Sequence, residues 1–259
     1  MKKKIKLSLV GAGPGDPDLI TLKAIKVLQK ADVILYDALV NEALLDYAPQ
    51  AVKMFVGKRL GCHACTQEQI NQLIIESAFK YGHVVRLKGG DPFIFGRAKE
   101  EIDYATAFNI PVEVVQGVSS PLAVPASQMI PLTCRGISES FWVITGTKHT
   151  GELSTDLLLA AQSSATVVIL MAMSKLSQIM DIFNNYGKAN TPVAIIQNGT
   201  TKEEKYVLGY VHDIVQKSRQ AGMSNPAVIV VGEVVSLHPD LMSSLYLVEN
   251  NRYHGHKAP

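Results

Sequence analysis

Short runs of β-branched and aliphatic residues alternate along this chain with longer segments whose apolar positions recur every three or four residues. That alternation predicts α/β layers over a largely parallel sheet. In the first half it places strands at Ile5–Val10, Val33–Tyr36, Lys53–Val56, Val84–Leu87 and Val112–Val115. Helices are expected over about Leu19–Lys30, Glu68–Tyr81 and Arg97–Phe108, the second opened by a capping box of Thr66 and Gln69. After Gln116-Gly117 the texture changes. Residues 118–131 are rich in Ser, Pro and Ala and contain Pro121, Pro125 and Pro131, which suits a linker with a short helix. The alternation then restarts, with strands at Phe141–Thr145, Thr166–Leu170, Val193–Ile196, Tyr206–Leu208 and Ala227–Val231. Helices between them cover about Thr155–Gln162, Lys175–Tyr186 and Val211–Ala221. The expectation is two α/β domains, residues 1–117 and 132–247, joined by the 118–131 segment and followed by an aperiodic tail at 248–259.

Composition adds exclusions more than direction. With 47% hydrophobic and 19% charged residues over 259 positions, a sizeable core is available and disorder is not expected. A net charge of +2 lacks the basic excess of a nucleic-acid binder, so any anionic partner needs a local cluster of cations. The apolar stretch behind Met1-Lys2-Lys3-Lys4 is broken by Lys6 and ends at Gly11, too short for a signal peptide. The longest apolar run, Ala165–Met173, is about half of a membrane span. Three cysteines, an odd number, argue against a disulfide framework. These features together predict a soluble, cytoplasmic protein.

Two glycine loops carry the candidate chemistry. The first, Gly11-Ala12-Gly13-Pro14-Gly15-Asp16, follows a strand and invites a dinucleotide-binding reading, with Asp32 about where a ribose-binding acid is sought. That fingerprint fails in detail. Its third glycine falls on Asp16, and Pro14 removes a backbone donor inside the turn. The second loop runs Arg86-Leu87-Lys88-Gly89-Gly90-Asp91-Pro92-Phe93-Ile94-Phe95-Gly96-Arg97 between a strand and a helix. Paired glycines admit a ligand to the backbone, and Arg86, Lys88 and Arg97 place three cations around one loop, which points to an anionic ligand. The bland alternative is a strand-to-helix turn capped by Asp91. Cys62-His63-Ala64-Cys65 looks like a zinc fragment, but the only other cysteine is Cys134, and no metal is expected.

Read together, Val10 to Pro17, Tyr36-Asp37-Ala38-Leu39-Val40, Gly57-Lys58-Arg59, the Arg86–Arg97 loop, Ile130-Pro131-Leu132-Thr133 and Gln197-Asn198-Gly199-Thr200 resemble the uroporphyrinogen-III C-methyltransferases of the tetrapyrrole methylase family. The match runs in order from about residue 5 to residue 237. The resemblance implies a homodimer whose two α/β domains hold S-adenosylmethionine in a cleft between them. Carried over to matching positions, the cofactor site consists of Pro14, Gly89, Gly90, Asp91, Ile94, Ser119, Ser120, Met171 and Gly199. The family's proton acceptor corresponds to Asp37 and its proton donor to Lys58. Without the resemblance, Asp37 reads equally as a strand-end Asx turn and Met171 as a core residue. The implied reaction is displacement of the sulfonium methyl by an electron-rich pyrrole carbon, twice, yielding precorrin-2 for sirohaem or cobalamin and releasing S-adenosylhomocysteine. The tetrapyrrole substrate carries eight carboxylates. Arg59, His63, Arg97 and Arg135, with Lys58, are the candidates to hold them.

The chain also departs from the family pattern. Ala98-Lys99-Glu100-Glu101 follows Arg97 where Gly-Gly-Glu-Glu is usual, and Gln116 stands where Pro is usual before Gly117. Ser119-Ser120 is followed by an unusual Pro121, Cys134 replaces the His before Arg135, Leu170-Met171-Ala172 replaces Tyr-Met-Gly, and Thr147 replaces a His. Three alternatives stay open at this point: a methylase of a later corrinoid intermediate, a nonenzymatic binder of tetrapyrrole or S-adenosylmethionine, and a nicotinamide oxidoreductase.

Overall fold

The computed structural model describes residues 4–57 and 66–242. The chain divides into two compact units, one running to Ser120 and the other from Pro121 onward.

In the first unit, strands β1 (Lys6–Gly11), β2 (Val33–Tyr36), β3 (Val52–Phe55), β4 (His83–Lys88) and β5 (Val112–Val115) form one sheet in the order β3-β2-β4-β1-β5. Every neighbouring pair in it is parallel. Parallel strands covered on both faces read as continuous apolar runs, and β1 and β4 are the two most deeply buried. Helix α1 (Leu22–Leu28) and a short 3-10 helix at Glu42–Tyr47 cover one face, packing Ala24, Leu28 and Leu44 on Val10, Val85 and Leu87. Helices α2 (Gln67–Tyr81) and α3 (Ala98–Ala107) cover the other, packing Ile74, Ala78 and Ala105 on Leu7, Leu9 and Val84. The capping box forms as the sequence predicts. Thr66 Oγ1 accepts from the Gln69 N–H, and Gln69 Oε1 accepts from the Thr66 N–H. The first helix starts later than its periodicity suggests, because Asp16 caps a 3-10 turn at Pro17–Leu19 and Thr21 caps α1 proper.

This sheet has a switch point. The chain leaves β1 over one face towards β2, and leaves β4 over the other face towards β5, although β1 and β4 are neighbours. Adjacent strands whose connections depart to opposite faces open a crevice at their carboxyl ends, where α/β sheets receive ligands.

In the second unit, α4 (Ser120–Ser127) occupies the stretch expected as a linker, and its Val124 packs with Ile130 into the core. Pro121 falls in the first turn of α4, where the absent N–H has no helical partner to lose. Strands β6 (Phe141–Thr145), β7 (Thr166–Leu170), β8 (Pro192–Gln197), β9 (Lys205–Tyr210) and β10 (Ala227–Val231) form a sheet ordered β6-β7-β10-β8-β9. Helices α5 (Asp156–Gln162), α6 (Leu176–Asn185) and α7 (Ile214–Gln220) cover one face around Phe183. Only β6 and β7 run parallel; the other pairs are antiparallel. The expectation of a largely parallel sheet therefore holds for the first unit and not for the second. Residues 198–204 are too few to carry the chain across the sheet, so β9 returns alongside β8 as an antiparallel neighbour.

Candidate active site

The two glycine loops meet at the switch point. Gly90 donates its N–H to the Gly13 carbonyl at 2.7 Å, Gly13 returns a bond to Gly90 at 3.3 Å, and Ala12 N–H reaches the Lys88 carbonyl at 2.8 Å. The loop after β5 closes on the same point. A Cβ on Gly11 would lie 2.5 Å from the Gly117 nitrogen and 2.6 Å from the Gly90 oxygen, so three backbones pack with no room for a side chain. Gly117 is thus the indispensable half of the Gln116-Gly117 pair. Asp91 ties the loops together, accepting from Phe93 N–H at 2.8 Å through one carboxylate oxygen and from Gly117 N–H at 3.0 Å through the other. Gly90 itself has φ +68, and the nearest atoms to a Cβ there would be those of Ser119 and Ser120, at 3.8–3.9 Å. Gly89 is different, because the space beside it is filled by Leu39.

These loops dispose of the dinucleotide reading. Asp32 precedes β2 and accepts from the His83 N–H at 2.8 Å, at the amino end of the sheet and away from the glycine turn. Asp16 caps a 3-10 turn, and α1 begins six residues further on, so α1 does not start against the first glycine turn as a pyrophosphate-binding helix would.

Asp37 follows β2 at the same carboxyl edge. One of its oxygens accepts from Leu39 N–H at 3.1 Å, which is the Asx turn that the sequence admits. The other pairs with Arg86 Nη2 at 3.3 Å. Arg86 and Lys88 turn inward, contrary to the expectation that three cations around the loop point to an anionic ligand. Alternate residues of a strand share a face, and both follow Val84 towards α2 and α3. There the fully buried Glu101 of α3 accepts from Arg86 Nε at 3.2 Å and Lys88 Nζ at 2.9 Å. Burial and the neighbouring Arg86 push the Lys88 ammonium below the usual lysine range, against the pull of Glu101. Arg97, the third cation, is exposed, in the left-handed region at φ +56, and grips Glu100 through two bonds of 2.8 and 2.6 Å.

Pro14 is half-buried in its turn, while Ile94 is exposed beside Phe93 and Phe95. Ser119 is buried, and Ser120 opens α4. In the second unit, Met171 directly follows β7 at φ +54 and is 51% exposed, so it is not the core residue that composition alone suggests. A non-glycine residue in that region is strained, and strain of this kind gathers at functional sites. Asn198 and Thr200, at φ +51 and +67, flank Gly199, whose missing side chain makes room for Val124 of α4. Glu204 fixes this turn, accepting from Thr200 N–H at 2.5 Å, from Ser127 Oγ at 2.8 Å and from Gln128 Nε2. Sequence reasoning missed Glu204, which nothing local separates from a solvated loop acid, and Glu101, although it keeps the second Glu of the usual Gly-Gly-Glu-Glu pattern. Arg135 is exposed on a turn held by Cys134 and Ser138. Lys58, Arg59, Cys62, His63 and Cys65 lie outside the described residues. Among the described residues, no group of three His, Cys, Asp or Glu side chains is arranged to hold a metal, and no helix is long and apolar enough to cross a membrane.

The sequence profile of the tetrapyrrole (corrin/porphyrin) methylases matches residues 6–215. The chain belongs to the tetrapyrrole methylase family. Among the methylases it resembles are the uroporphyrinogen-III C-methyltransferase of Methanocaldococcus jannaschii, 44% identical over 90% of this chain and 97% of that protein, and the S-adenosyl-L-methionine-dependent uroporphyrinogen III methyltransferase of Methanosarcina barkeri, 42% identical over 90% and 93%. It also matches the siroheme synthase of Actinobacillus pleuropneumoniae, 43% identical, but spans only 49% of that longer protein. Of solved structures, the uroporphyrin-III C-methyltransferase of Thermus thermophilus complexed with S-adenosylhomocysteine superposes with a TM-score of 0.77 at 36% identity, covering 90% of this chain and 99% of that one. A cobalt precorrin-4 methyltransferase superposes with a TM-score of 0.79 at 29% identity, covering 89% and 96%.

Proposed function

We propose that this methylase transfers two methyl groups from S-adenosylmethionine to uroporphyrinogen III, giving precorrin-2 for sirohaem or cobalamin synthesis. The observation that carries the reading is the convergence, at the switch point of the first unit, of both glycine loops with the Asp37 carboxylate. The names of its methanogen and Thermus relatives point the same way.

The residues present suit the cofactor. The left-handed Gly90 presents bare backbone beside Ser119 and Ser120, and Ile94 and Met171 offer exposed apolar surface for a flat adenine. Pro14, Gly89, Asp91, Ser119, Ser120 and Gly199 complete the proposed contacts. S-adenosylmethionine supplies the methyl group on a sulfonium that departs as a neutral thioether. No nucleophile from the protein is needed, so the chain's task is to align the pyrrole carbon with the methyl at about 3–3.5 Å. Asp37 then accepts the proton that the macrocycle releases, a role typically contributing around 10²–10⁴-fold, while Lys58 donates one. Arg59, His63, Arg97 and Arg135 hold substrate carboxylates, Arg97 by exchanging its exposed partner Glu100 for the ligand. Homodimeric assembly and a cytoplasmic location complete the proposal, the first checked by light scattering and the second by cell fractionation.

Anaerobic incubation with uroporphyrinogen III and S-adenosylmethionine, followed by mass and absorbance, tests the assignment. The expected product carries two added methyl groups. Cofactor binding without methylation would instead favour a later corrinoid substrate, which the same assay can offer, or a binding role.

A further inference from the structure

Three ionised side chains meet in the apolar layer between the first unit's sheet and its outer helices. Arg86 and Lys88 are each 5% exposed at the side chain, and Glu101 is 0% exposed. One carboxylate oxygen of Glu101 does the pairing, accepting from both cations and, at 3.5 Å, from Gln67 Nε2. The other, also buried, has no partner among the described residues. A triad built this way is a poor stabilising device. Desolvation offsets most of its Coulombic gain, and an unpaired buried oxygen adds a further penalty.

The triad is well suited to holding a direction. Arg86 is gripped on several sides, by Glu101 through Nε, and by the Leu35 and Leu87 carbonyls at 3.4 and 2.9 Å through Nη1. Its remaining nitrogen, Nη2, meets Asp37. The charges sum accordingly. Two cations against Glu101 leave one positive charge, and Asp37, 25% exposed, is the group that faces it at the site. Planar guanidinium geometry passes orientation from one end of the fork to the other, which an ammonium could not do.

We propose that Glu101 is a positioning residue for the methyl-transfer reaction, aiming the Arg86 guanidinium and through it the Asp37 carboxylate. The inference rests on the reading of Asp37 as proton acceptor. It assigns a purpose to a carboxylate that is fully buried behind Arg86 and Lys88.

A double-mutant cycle tests it with the intact chain, uroporphyrinogen III and S-adenosylmethionine. Glu101→Leu should lower kcat by about 10–100-fold, the scale of a reacting group misplaced by about an ångström, with cofactor Kd unchanged within about threefold. Glu101→Gln keeps an oxygen for Arg86 Nε and should recover most of the lost kcat. In an Asp37→Ala background, Glu101→Leu should change kcat by less than about twofold, because the two act as a unit. Additive losses in the cycle would overturn the inference while leaving Asp37 in its role. Full turnover by Asp37→Ala alone would instead overturn the reading of Asp37. Should Glu101→Leu fail to fold, the pair Glu101→Asp and Glu101→Gln carries the test. The shorter aspartate loses its reach to Arg86 and should be the slower enzyme, and equal rates would sink the idea.

Discussion

Gly11→Ala puts the packing of the three loops to a quantitative test. The new methyl would sit 2.5 Å from the Gly117 nitrogen and 2.6 Å from the Gly90 oxygen, both backbone atoms with no rotamer to yield. Restoring van der Waals contact at roughly 3.5 Å requires the backbones to part by about 1 Å. That displacement takes the Gly90-to-Gly13 bond from 2.7 Å beyond hydrogen-bonding range, and with it the weaker return bond at 3.3 Å. The bond from Gly117 N–H to Asp91, at 3.0 Å, stretches too. Two or three hydrogen bonds at about 1 kcal/mol each give a loss of about 2–3 kcal/mol, within the range of about 1–3 kcal/mol seen for overpacking. At about 2–4 °C per kcal/mol, Tm should fall by roughly 4–12 °C. The same shift moves Gly90 and Asp91, so calorimetric titration with S-adenosylmethionine should show affinity lowered by at least about tenfold. Gly187→Ala is the control. Its φ of +77 imposes strain of about 1–2 kcal/mol, but nothing lies within 4 Å of the added methyl and cofactor affinity should not change. A Gly11→Ala protein that melts and binds like the wild type would refute the argument that close backbone packing builds this site.

Asp37→Ala should reduce turnover by about 10²–10⁴-fold while leaving cofactor affinity close to wild type, and steady-state kinetics beside a binding titration will separate the two. His83 makes the fold sensitive to acid. Its Nδ1–H donates to the Lys30 carbonyl at 2.8 Å, its Nε2 accepts from Ser8 at 2.9 Å, and burial holds its pKa below the usual histidine value. The unfolded chain therefore binds more protons, so stability is fully present above about pH 6.5 and declines as pH falls through the folded pKa, at up to about 1.4 kcal/mol per pH unit. Urea unfolding at pH 5.5 and 7.5 should show that dependence shrink in His83→Gln, though not vanish, since burial lowers His238 as well. Glu204→Ala removes the acceptor of Thr200 N–H, Ser127 and Gln128, and should loosen the Asn198–Thr200 turn. A fall in cofactor affinity larger than the fall in Tm implies would support the place of that turn in the site, and unchanged binding would remove it.

Much of this protein was legible in one dimension because its determinants are local. The capping box of Thr66 and Gln69 needs only three residues of chain, and the period-two and period-3.6 patterns located the strands and helices around it. The same local chemistry marked the glycine loops, whereas Asp37, which reads equally as a strand-end Asx turn, stood out only through the family resemblance. What the sequence could not convey depends on partners distant in the chain or on the hand of a connection. Strands β7, β8 and β10 are as continuously buried as those of the parallel sheet, so their antiparallel pairing emerged only in three dimensions. Arg86 and Lys88 look like ligand cations because they flank a glycine loop. They turn inward because both faces of β4 are covered and α3 brings Glu101 against them. Met171 looks like core because it lies within the apolar run Ala165–Met173. It stands exposed because the chain enters the left-handed region directly after β7 ends at Leu170. Asp32 and Asp37 are only five residues apart, yet they sit at opposite ends of the sheet. Strand direction alone, a tertiary property, decides that Asp37 is the one at the carboxyl edge beside the glycine loops.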